Sequence, residues 1–119
     1  MIKNRALILV AVKEELCEKD LPNFNIHYTG VGKINASFKT SEIIKEYSPT
    51  HIINYGTAGS LNKELRGLVE VTRFFQRDMD ATSLGFKIGQ TPFDDMAEID
   101  LGSRGVSCGT GDSFVTQIP

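Results

Sequence analysis

The pattern that organises this chain is Thr50-His51-Ile52-Ile53-Asn54-Tyr55-Gly56-Thr57-Ala58-Gly59-Ser60. Its apolar first half predicts a short strand over Thr50–Tyr55. The small residues that follow predict a turn whose backbone N–H groups can face a ligand. Because ligands of open α/β sheets bind outside the carboxyl ends of strands, this turn is a candidate binding site.

Two similar turns lie on either side of it, at Gly30-Val31-Gly32 and Gly109-Thr110-Gly111-Asp112. The first turn joins a strand candidate, Asn25–Tyr28, to an amphipathic helix predicted over Lys33–Tyr47, which ends before a proline. Apolar residues at near-helical spacing mark one face of this helix: Ile34, Phe38, Ile44 and Tyr47. The order strand, helix, strand predicts a right-handed crossover and a largely parallel sheet.

The remaining segments complete an α/β pattern. Ala6–Val12 is a continuous apolar run, which is typical of a strand buried on both faces. Lys13–Lys19 is polar and compatible with a helix. Later in the chain, Leu68–Arg77 predicts a less buried strand and Gly105–Cys108 a last short one. Between them, Asp78–Asp100 predicts an excursion with little regular structure, of the kind that is usually functional or held by a partner.

Composition narrows the class of protein. The chain has 119 residues, 40% of them hydrophobic and 24% charged, which predicts one folded domain or part of one rather than a disordered segment. Its net charge of −2 and the lack of a basic block disfavour nucleic-acid binding. The longest apolar run is too short to span a bilayer, so no membrane partner is expected. Cys17 and Cys108 lack metal or disulfide spacing, which fits a reducing cytoplasm.

Polar residues after the first two strands are candidates for chemistry. Glu14 and Glu15 directly follow the first strand, where a carboxylate can hold or activate a water in a cleft. The alternative is a solvated first turn of a helix, where acidic residues favour the positive end of the dipole. Gly56–Gly59 permits close backbone approach to a sugar or an anion, with the Thr57 hydroxyl as a further hydrogen-bonding group. The alternative there is a purely structural turn.

Aromatic and acidic residues in the second half carry weaker signals. Phe114 stands beside the tight turn after Gly111 and could stack on a purine, or be an ordinary core phenylalanine. Asp78 and Asp80 lack a histidine or third acidic ligand at suitable spacing, so no metal is expected. No motif for an organic cofactor is present, and isolated histidines on strands do not suggest catalysis.

Five segments, taken in order, resemble the purine nucleoside phosphorylase superfamily, and most closely its methylthioadenosine/S-adenosylhomocysteine nucleosidase branch. They are Val10–Leu16, Thr29–Ala36, Ile52–Gly59, Arg77–Gly85 and Gly109–Phe114. The resemblance implies an α/β fold with a central twisted, mixed and largely parallel sheet flanked by helices. It also implies a homodimer that hydrolyses the N-glycosidic bond of an adenine nucleoside bearing a 5′-thioether.

The same resemblance assigns roles to individual residues. Glu15 falls where the family holds and polarises the attacking water, and Thr57 where a serine near that water and the ribose is usual. Leu84 lies in the segment that family dimers use to close the neighbouring subunit's 5′-thio pocket, where an aromatic residue is more usual. The other assignments are Val31 beside the ribose and 5′-thio group, Ala58 and Gly59 on the pocket floor, Phe114 stacked on adenine, and Val115 reading the adenine edge through its backbone.

The charges directly after the first strand help to distinguish a hydrolase from a phosphorylase. Phosphorylases of the superfamily hold phosphate with glycine and arginine just after the first strand, where this chain has Glu14 and Glu15. Two carboxylates repel a phosphate dianion, and Lys13 contributes a single opposing charge. A hydrolase is therefore favoured, and a phosphate-dependent phosphorylase is the alternative.

The resemblance also predicts that residues 1–119 form one nucleosidase-like domain that is incomplete on its C-terminal side. The family's leaving-group aspartate and ribose-binding glutamate lie in downstream segments that have no counterpart in the 119 residues. A truncated form that binds nucleoside without catalysis is thus a further alternative.

Overall fold

A computed structural model describes residues 6–102 and 104–117 of the chain. The chain divides into two compact units, one ending at Ala58 and the other beginning at Gly59. In the described residues, each unit contains a three-stranded sheet. Three of the four strand pairs are parallel and the fourth is antiparallel, so the α/β class with mixed, largely parallel strand pairing is confirmed.

The first unit is a parallel sheet with one long helix. Its central strand pairs on both sides, giving the order β2-β1-β3. In this register Ile8 lies opposite Ile26 on one side and Ile53 on the other. The elements are β1 (Ala6–Val10), a short 3₁₀ helix (Glu18–Asp20), β2 (Asn25–Tyr28), α1 (Lys33–Tyr47) and β3 (His51–Asn54).

The core of this unit surrounds β1. Residues 7–10 are all buried, as expected for a central strand covered on both faces. Leu7 and Leu9 form a cluster with Ile43 of α1, which joins the helix to the sheet. The predicted buried strand is therefore confirmed, although it ends at Val10 rather than at Val12.

The prediction of a helix-compatible segment over Lys13–Lys19 is wrong. The backbone turns after β1 through a bond from Glu15 N–H to the Val12 carbonyl, and a single 3₁₀ turn follows at Glu18–Asp20. The Leu16 carbonyl accepts a hydrogen bond from the Tyr28 hydroxyl at 2.7 Å. This segment has no apolar stripe to pack as a helix, so tertiary hydrogen bonds decide its conformation instead.

The bounds predicted for α1 are confirmed, but its predicted apolar face is wrong. Ile34 and Phe38 are 81% and 69% exposed, whereas Ile43 is 1% exposed. The helix ends at Ser48, which has left-handed backbone angles, donates to the Ile44 carbonyl and precedes a proline that cannot continue the helix. Neither α1 nor another helix of the described residues has the length and apolarity needed to cross a bilayer.

The second unit is a mixed sheet of order β5-β4-β6. β4 is antiparallel to β5 and parallel to β6. As predicted, the connection after β4 is mostly irregular. The elements are β4 (Val71–Gln76), a 3₁₀ turn (Thr82–Leu84), β5 (Ile99–Asp100) and β6 (Val106–Thr110).

Two predicted boundaries in this unit are wrong. The strand expected over Leu68–Arg77 is restricted to β4. The strand expected to end at Cys108 continues to Thr110, because Gly109 and Thr110 pair with β4, so the tight turn starts at Gly111. A Cβ at position 109 would lie 3.0 Å from Cζ of Phe75, which explains why a glycine occupies this strand position.

Candidate active site

The candidate site of the first unit lies at the carboxyl edge of its sheet. Because β1, β2 and β3 are parallel, their carboxyl ends lie at the same edge, which is the usual ligand-binding side of an open α/β sheet. Three segments leave the sheet there: the loop that carries Glu15, the turn Gly30–Gly32, and the segment Gly56–Ala58.

The structure joins Glu15 to Thr57 across 42 positions of sequence. Oε2 of Glu15 accepts hydrogen bonds from the Thr57 backbone N–H at 2.6 Å and from the Thr57 hydroxyl at 2.7 Å. Its other oxygen, Oε1, accepts a longer bond from Val12 N–H at 3.4 Å. The alternative of a glutamate in a solvated helical turn is therefore wrong.

Glycine at position 56 leaves room for this carboxylate. A Cβ built at Gly56 would lie 3.0 Å from Oε2 and 3.6 Å from Cδ of Glu15. A side chain at this position would press on the carboxylate, which would have to shift by a few tenths of an ångström. The segment Gly56–Thr57 thus both makes space for Glu15 and binds it.

Hydrogen bonding lowers the pKa of the Glu15 carboxyl. Partial burial acts to raise its pKa, but hydrogen bonds from the Thr57 hydroxyl and backbone, with smaller contributions from Val12 and Ala11, outweigh burial and lower the pKa below its ordinary value. The group is therefore a carboxylate at neutral pH. Its folded-state pKa is lowered, so the stability it contributes is present above the unfolded-state pKa and is lost as the pH falls through the folded value.

Replacing Thr57 by valine should raise the pKa of Glu15 towards the ordinary value for glutamate. Valine removes the hydroxyl donor and keeps the branched shape, whereas Thr57→Ser keeps the hydroxyl and serves as the matched control. The pKa is read from a ¹³C NMR titration of the Glu15 carboxyl. An unchanged titration in Thr57→Val would contradict the assigned role of the hydroxyl.

Tyr28 at the end of β2 holds the loop that carries Glu15. In addition to the bond from its hydroxyl to the Leu16 carbonyl, its ring lies under the Lys13 ammonium, with Nζ 5.7 Å from the ring centroid. Lys13 is therefore engaged with an aromatic face. Tyr28 is not among the residues predicted from sequence to form the site, and its position at the end of a predicted strand was the available signal.

Val31 lies at the tip of a turn that depends on two glycines. Gly30 and Gly32 have φ of +80° and +99°, which side chains other than glycine rarely tolerate. Asn35 in the first turn of α1 donates from Nδ2 to the Val31 carbonyl at 2.8 Å, which fixes the turn. Val31 is exposed, as is Ala58 at the end of the unit.

The site residues of the second unit lie on its surface. Phe114 is 87% exposed and follows β6, so the alternative of a core phenylalanine is wrong. Val115 beside it and Leu84 at the end of the 3₁₀ turn are also exposed. Gly59 is exposed, and a Cβ built on it would meet no atom within 4 Å.

The acidic residues of the segment after β4 take part in local hydrogen bonds. Oδ1 of Asp80 accepts from the Thr82 N–H at 3.0 Å and the Thr82 hydroxyl at 2.6 Å, and these bonds lower the pKa of Asp80. Asp78 accepts from Asp112 N–H at 2.9 Å. Within residues 6–102 and 104–117, no group of three or more His, Cys, Asp or Glu side chains could hold a metal ion.

Residues 23–108 match the family model of the Phosphorylase superfamily, which is well over half of the chain. The chain belongs to the phosphorylase superfamily. The predicted resemblance is thus confirmed at the level of the superfamily, and the match extends over parts of both units.

Similar members of the superfamily are nucleosidases. The 5′-methylthioadenosine/S-adenosylhomocysteine nucleosidase of Staphylococcus haemolyticus is 39% identical over 66 residues, which cover 54% of this chain and 29% of the relative. The enzyme of the same name from Halalkalibacterium halodurans is 41% identical over 66 residues, again 54% of this chain and 29% of the relative. The matched segment thus spans under a third of each curated relative.

Solved structures of two hydrolytic enzymes share the fold. The nucleosidase of Campylobacter jejuni matches with a TM-score of 0.76 at 20% identity, covering 96% of this chain and 67% of that one. Futalosine hydrolase of Helicobacter pylori matches with a TM-score of 0.76 at 19% identity, covering 94% and 68%. These likenesses confirm the predicted α/β fold of the nucleosidase type.

Proposed function

We propose that this protein hydrolyses the N-glycosidic bond of adenine nucleosides that carry a 5′-thioether, such as 5′-methylthioadenosine and S-adenosylhomocysteine. The observation that carries the proposal is the ionised Glu15 carboxylate bound by Thr57 at the carboxyl edge of the first sheet. The curated relatives named as nucleosidases for these two compounds support the choice of substrate.

Glu15 acts on the water. Oε2 accepts from the two Thr57 donors, and Oε1 accepts only a long bond from Val12 N–H, so Oε1 can also accept a hydrogen bond from a water molecule. Glycosidic cleavage passes through an oxocarbenium-like sugar, to which a positioned water adds. The water oxygen bonds to the anomeric carbon and its proton passes to Glu15. The electron pair of the broken C–N bond leaves with adenine, which takes up a proton from solvent, and Glu15 then returns its proton to solvent.

The other proposed site residues bind the nucleoside. Phe114 presents an aromatic face on which adenine can stack, and the Val115 backbone can bond the edge of the base. Val31, held by Asn35, faces the ribose and 5′-thio group, with Ala58 and Gly59 as small floor residues. Leu84 is proposed to contact the 5′ substituent in the partner subunit, as an apolar side chain suited to a thioether.

Adenine release from 5′-methylthioadenosine, in buffer with and without phosphate, tests the proposal. Phosphate-independent release with methylthioribose as the sugar product supports hydrolysis. Release that requires phosphate and yields a sugar 1-phosphate contradicts it in favour of a phosphorylase. A chain that binds the nucleoside in equilibrium dialysis without releasing adenine is a non-catalytic binding form. Futalosine is included as a second substrate because a similar structure is a futalosine hydrolase.

The proposed assembly is a homodimer in the cytoplasm. Ile34 and Phe38 lie one turn apart on α1 with most of their surface exposed, and apolar patches of this kind favour association. Cys17 and Cys108 are free thiols, which suits a reducing compartment. Sedimentation equilibrium of the purified chain measures the oligomeric state.

The two compact units are proposed to belong to one nucleosidase-like domain over residues 1–119. The support is the superfamily match over residues 23–108, which begins within the first unit and ends within the second. Cooperative urea unfolding of the chain in a single transition, with coincident transitions by two spectroscopic probes, is the expected result.

A further inference from the structure

Arg77 and Asp78, which directly follow β4, contact the turn that carries Phe114. β4 and β6 are parallel, so the chain leaves both strands at the same edge of the second sheet. We propose that Arg77 is a positioning residue that orients the Phe114–Val115 segment for binding a purine base, with Asp78 fixing the start of the same turn. The inference rests on the proposed function, in which Phe114 and Val115 bind adenine.

The guanidinium of Arg77 contacts Ser113, the residue before Phe114. Its Nη2 donates to the Ser113 carbonyl, and its Nη1 lies 3.4 Å from the Ser113 hydroxyl. One planar, charged group thus binds both the backbone and the side chain of a single turn residue. Hydrogen bonds from a charged donor are stronger than neutral ones, and the forked geometry restricts the direction in which the backbone leaves Ser113.

Asp78 binds the same turn one residue earlier. Its Oδ2 accepts a hydrogen bond from Asp112 N–H at 2.9 Å. The Arg77 backbone N–H donates to the Thr110 carbonyl at 2.9 Å, which extends the pairing of the two strands up to the turn. Arg77 and Asp78 therefore bind Ser113 and Asp112, the two residues directly before Phe114.

Glycine at position 111 permits this close approach. A Cβ there would lie 2.8 Å from Cζ of Arg77 and 3.1 Å from Cγ of Asp78. The first distance is shorter than real Cβ contacts and the second is tighter than most of them, so the two side chains pack closely on the turn backbone. The lack of a side chain at Gly111 thus contributes to this contact, in addition to the hydrogen bonds of Arg77 and Asp78.

Arg77 acts through the turn and not by touching the base. Phe114 is exposed, so packing around its ring does little to set its direction, and the hydrogen-bonded residue before it takes that role. Without the guanidinium, the segment would gain conformational freedom that base binding must remove. Arg77 should therefore affect both the affinity for adenine and the discrimination between purine bases.

Equilibrium dialysis with radiolabelled adenine and hypoxanthine tests the inference. The variant is Arg77→Met, which removes the donors and keeps an unbranched apolar stem. The matched control is Arg73→Met within β4, because Arg73 binds Glu98 in an exposed ion pair rather than the turn. We expect Arg77→Met to weaken adenine binding about tenfold, the scale of a lost charged hydrogen bond, and to narrow the ratio of the two dissociation constants. Arg73→Met should change neither.

The stoichiometry of binding separates positioning from a structural role. A variant that only loses folded protein binds fewer equivalents of adenine with an unchanged dissociation constant, and that result would overturn the inference. If Arg77→Met does not fold, Arg77→Lys is measured instead, because it keeps the charge and loses the forked donor geometry. The equivalents of adenine bound and the dissociation constant then separate positioning from a structural role. If the wild-type chain binds adenine but does not hydrolyse nucleosides, the proposed hydrolysis is contradicted. The role of Arg77 in adenine binding is then still decided by the dissociation constants of the variants.

Discussion

Replacing Glu15 by glutamine is expected to lower the rate of adenine release from 5′-methylthioadenosine by about 10²- to 10⁴-fold, the usual contribution of a general base. The amide oxygen of glutamine can still accept the two Thr57 hydrogen bonds, so the loop should keep its position. What is lost is the negative charge that polarises the water and takes its proton. The rate constant at saturating nucleoside is the quantity to measure.

Glu14→Gln is the control for this variant. Glu14 is the neighbouring residue, is exposed and has the same charge, so its replacement changes the net charge equally. The rate of Glu14→Gln should stay within about twofold of wild type, because an exposed charge that contacts neither the attacking water nor the nucleoside contributes little. A Glu15→Gln enzyme as active as Glu14→Gln would remove Glu15 from the mechanism.

Replacing Ile43 by alanine is expected to lower the free energy of unfolding by about 2–5 kcal/mol. Ile43 is 1% exposed and forms the buried cluster with Leu7 and Leu9, so truncation leaves a cavity between α1 and the sheet. A loss of this size is a large part of the total stability of a small domain. Urea denaturation followed by circular dichroism gives the free energy.

Ile34→Ala on the same helix is the matched control. Ile34 is 81% exposed in the single chain, so at protein concentrations too low for association the same change of side chain should alter the free energy of unfolding by about 0.5 kcal/mol or less. Equal losses in the two variants would mean that Ile34 is covered in solution, as the proposed homodimer would allow. That outcome would show as a dependence of stability on protein concentration in wild type and not in Ile34→Ala.

Local structure was predictable where the signal lay in neighbouring residues. The bounds of α1 and β2 match the sequence prediction. A glycine turn separates the strand from the helix, and a proline follows the end of the helix. The burial of β1 followed from an apolar run without polar alternation. In contrast, the Lys13–Lys19 segment has no periodic apolar stripe, and its conformation depends on a bond from Tyr28 that no local pattern reveals.

The face of α1 shows how packing overrides periodicity. Ile34, Phe38, Ile44 and Tyr47 were expected to form the buried stripe, yet the buried position is Ile43. Adjacent isoleucines at 43 and 44 can each belong to an apolar stripe, and helical spacing alone does not decide which one faces the sheet. The contact of Ile43 with Leu7 and Leu9 decides it.

The features of the candidate site likewise divide into those that the sequence predicts and those that the fold decides. The order of the motifs was enough to indicate the phosphorylase superfamily and to nominate Glu15 and Thr57, because residue types and their order are properties of the chain. The lowered pKa of Glu15 is a property of the fold, since its two Thr57 donors come from 42 positions away and meet it only because β1 and β3 are parallel neighbours. The contact of Arg77 with Ser113 likewise required β4 and β6 to pair. Hydrogen bonds across such sequence separations depend on strand register, and register is set by the packing of the whole sheet rather than by any single segment.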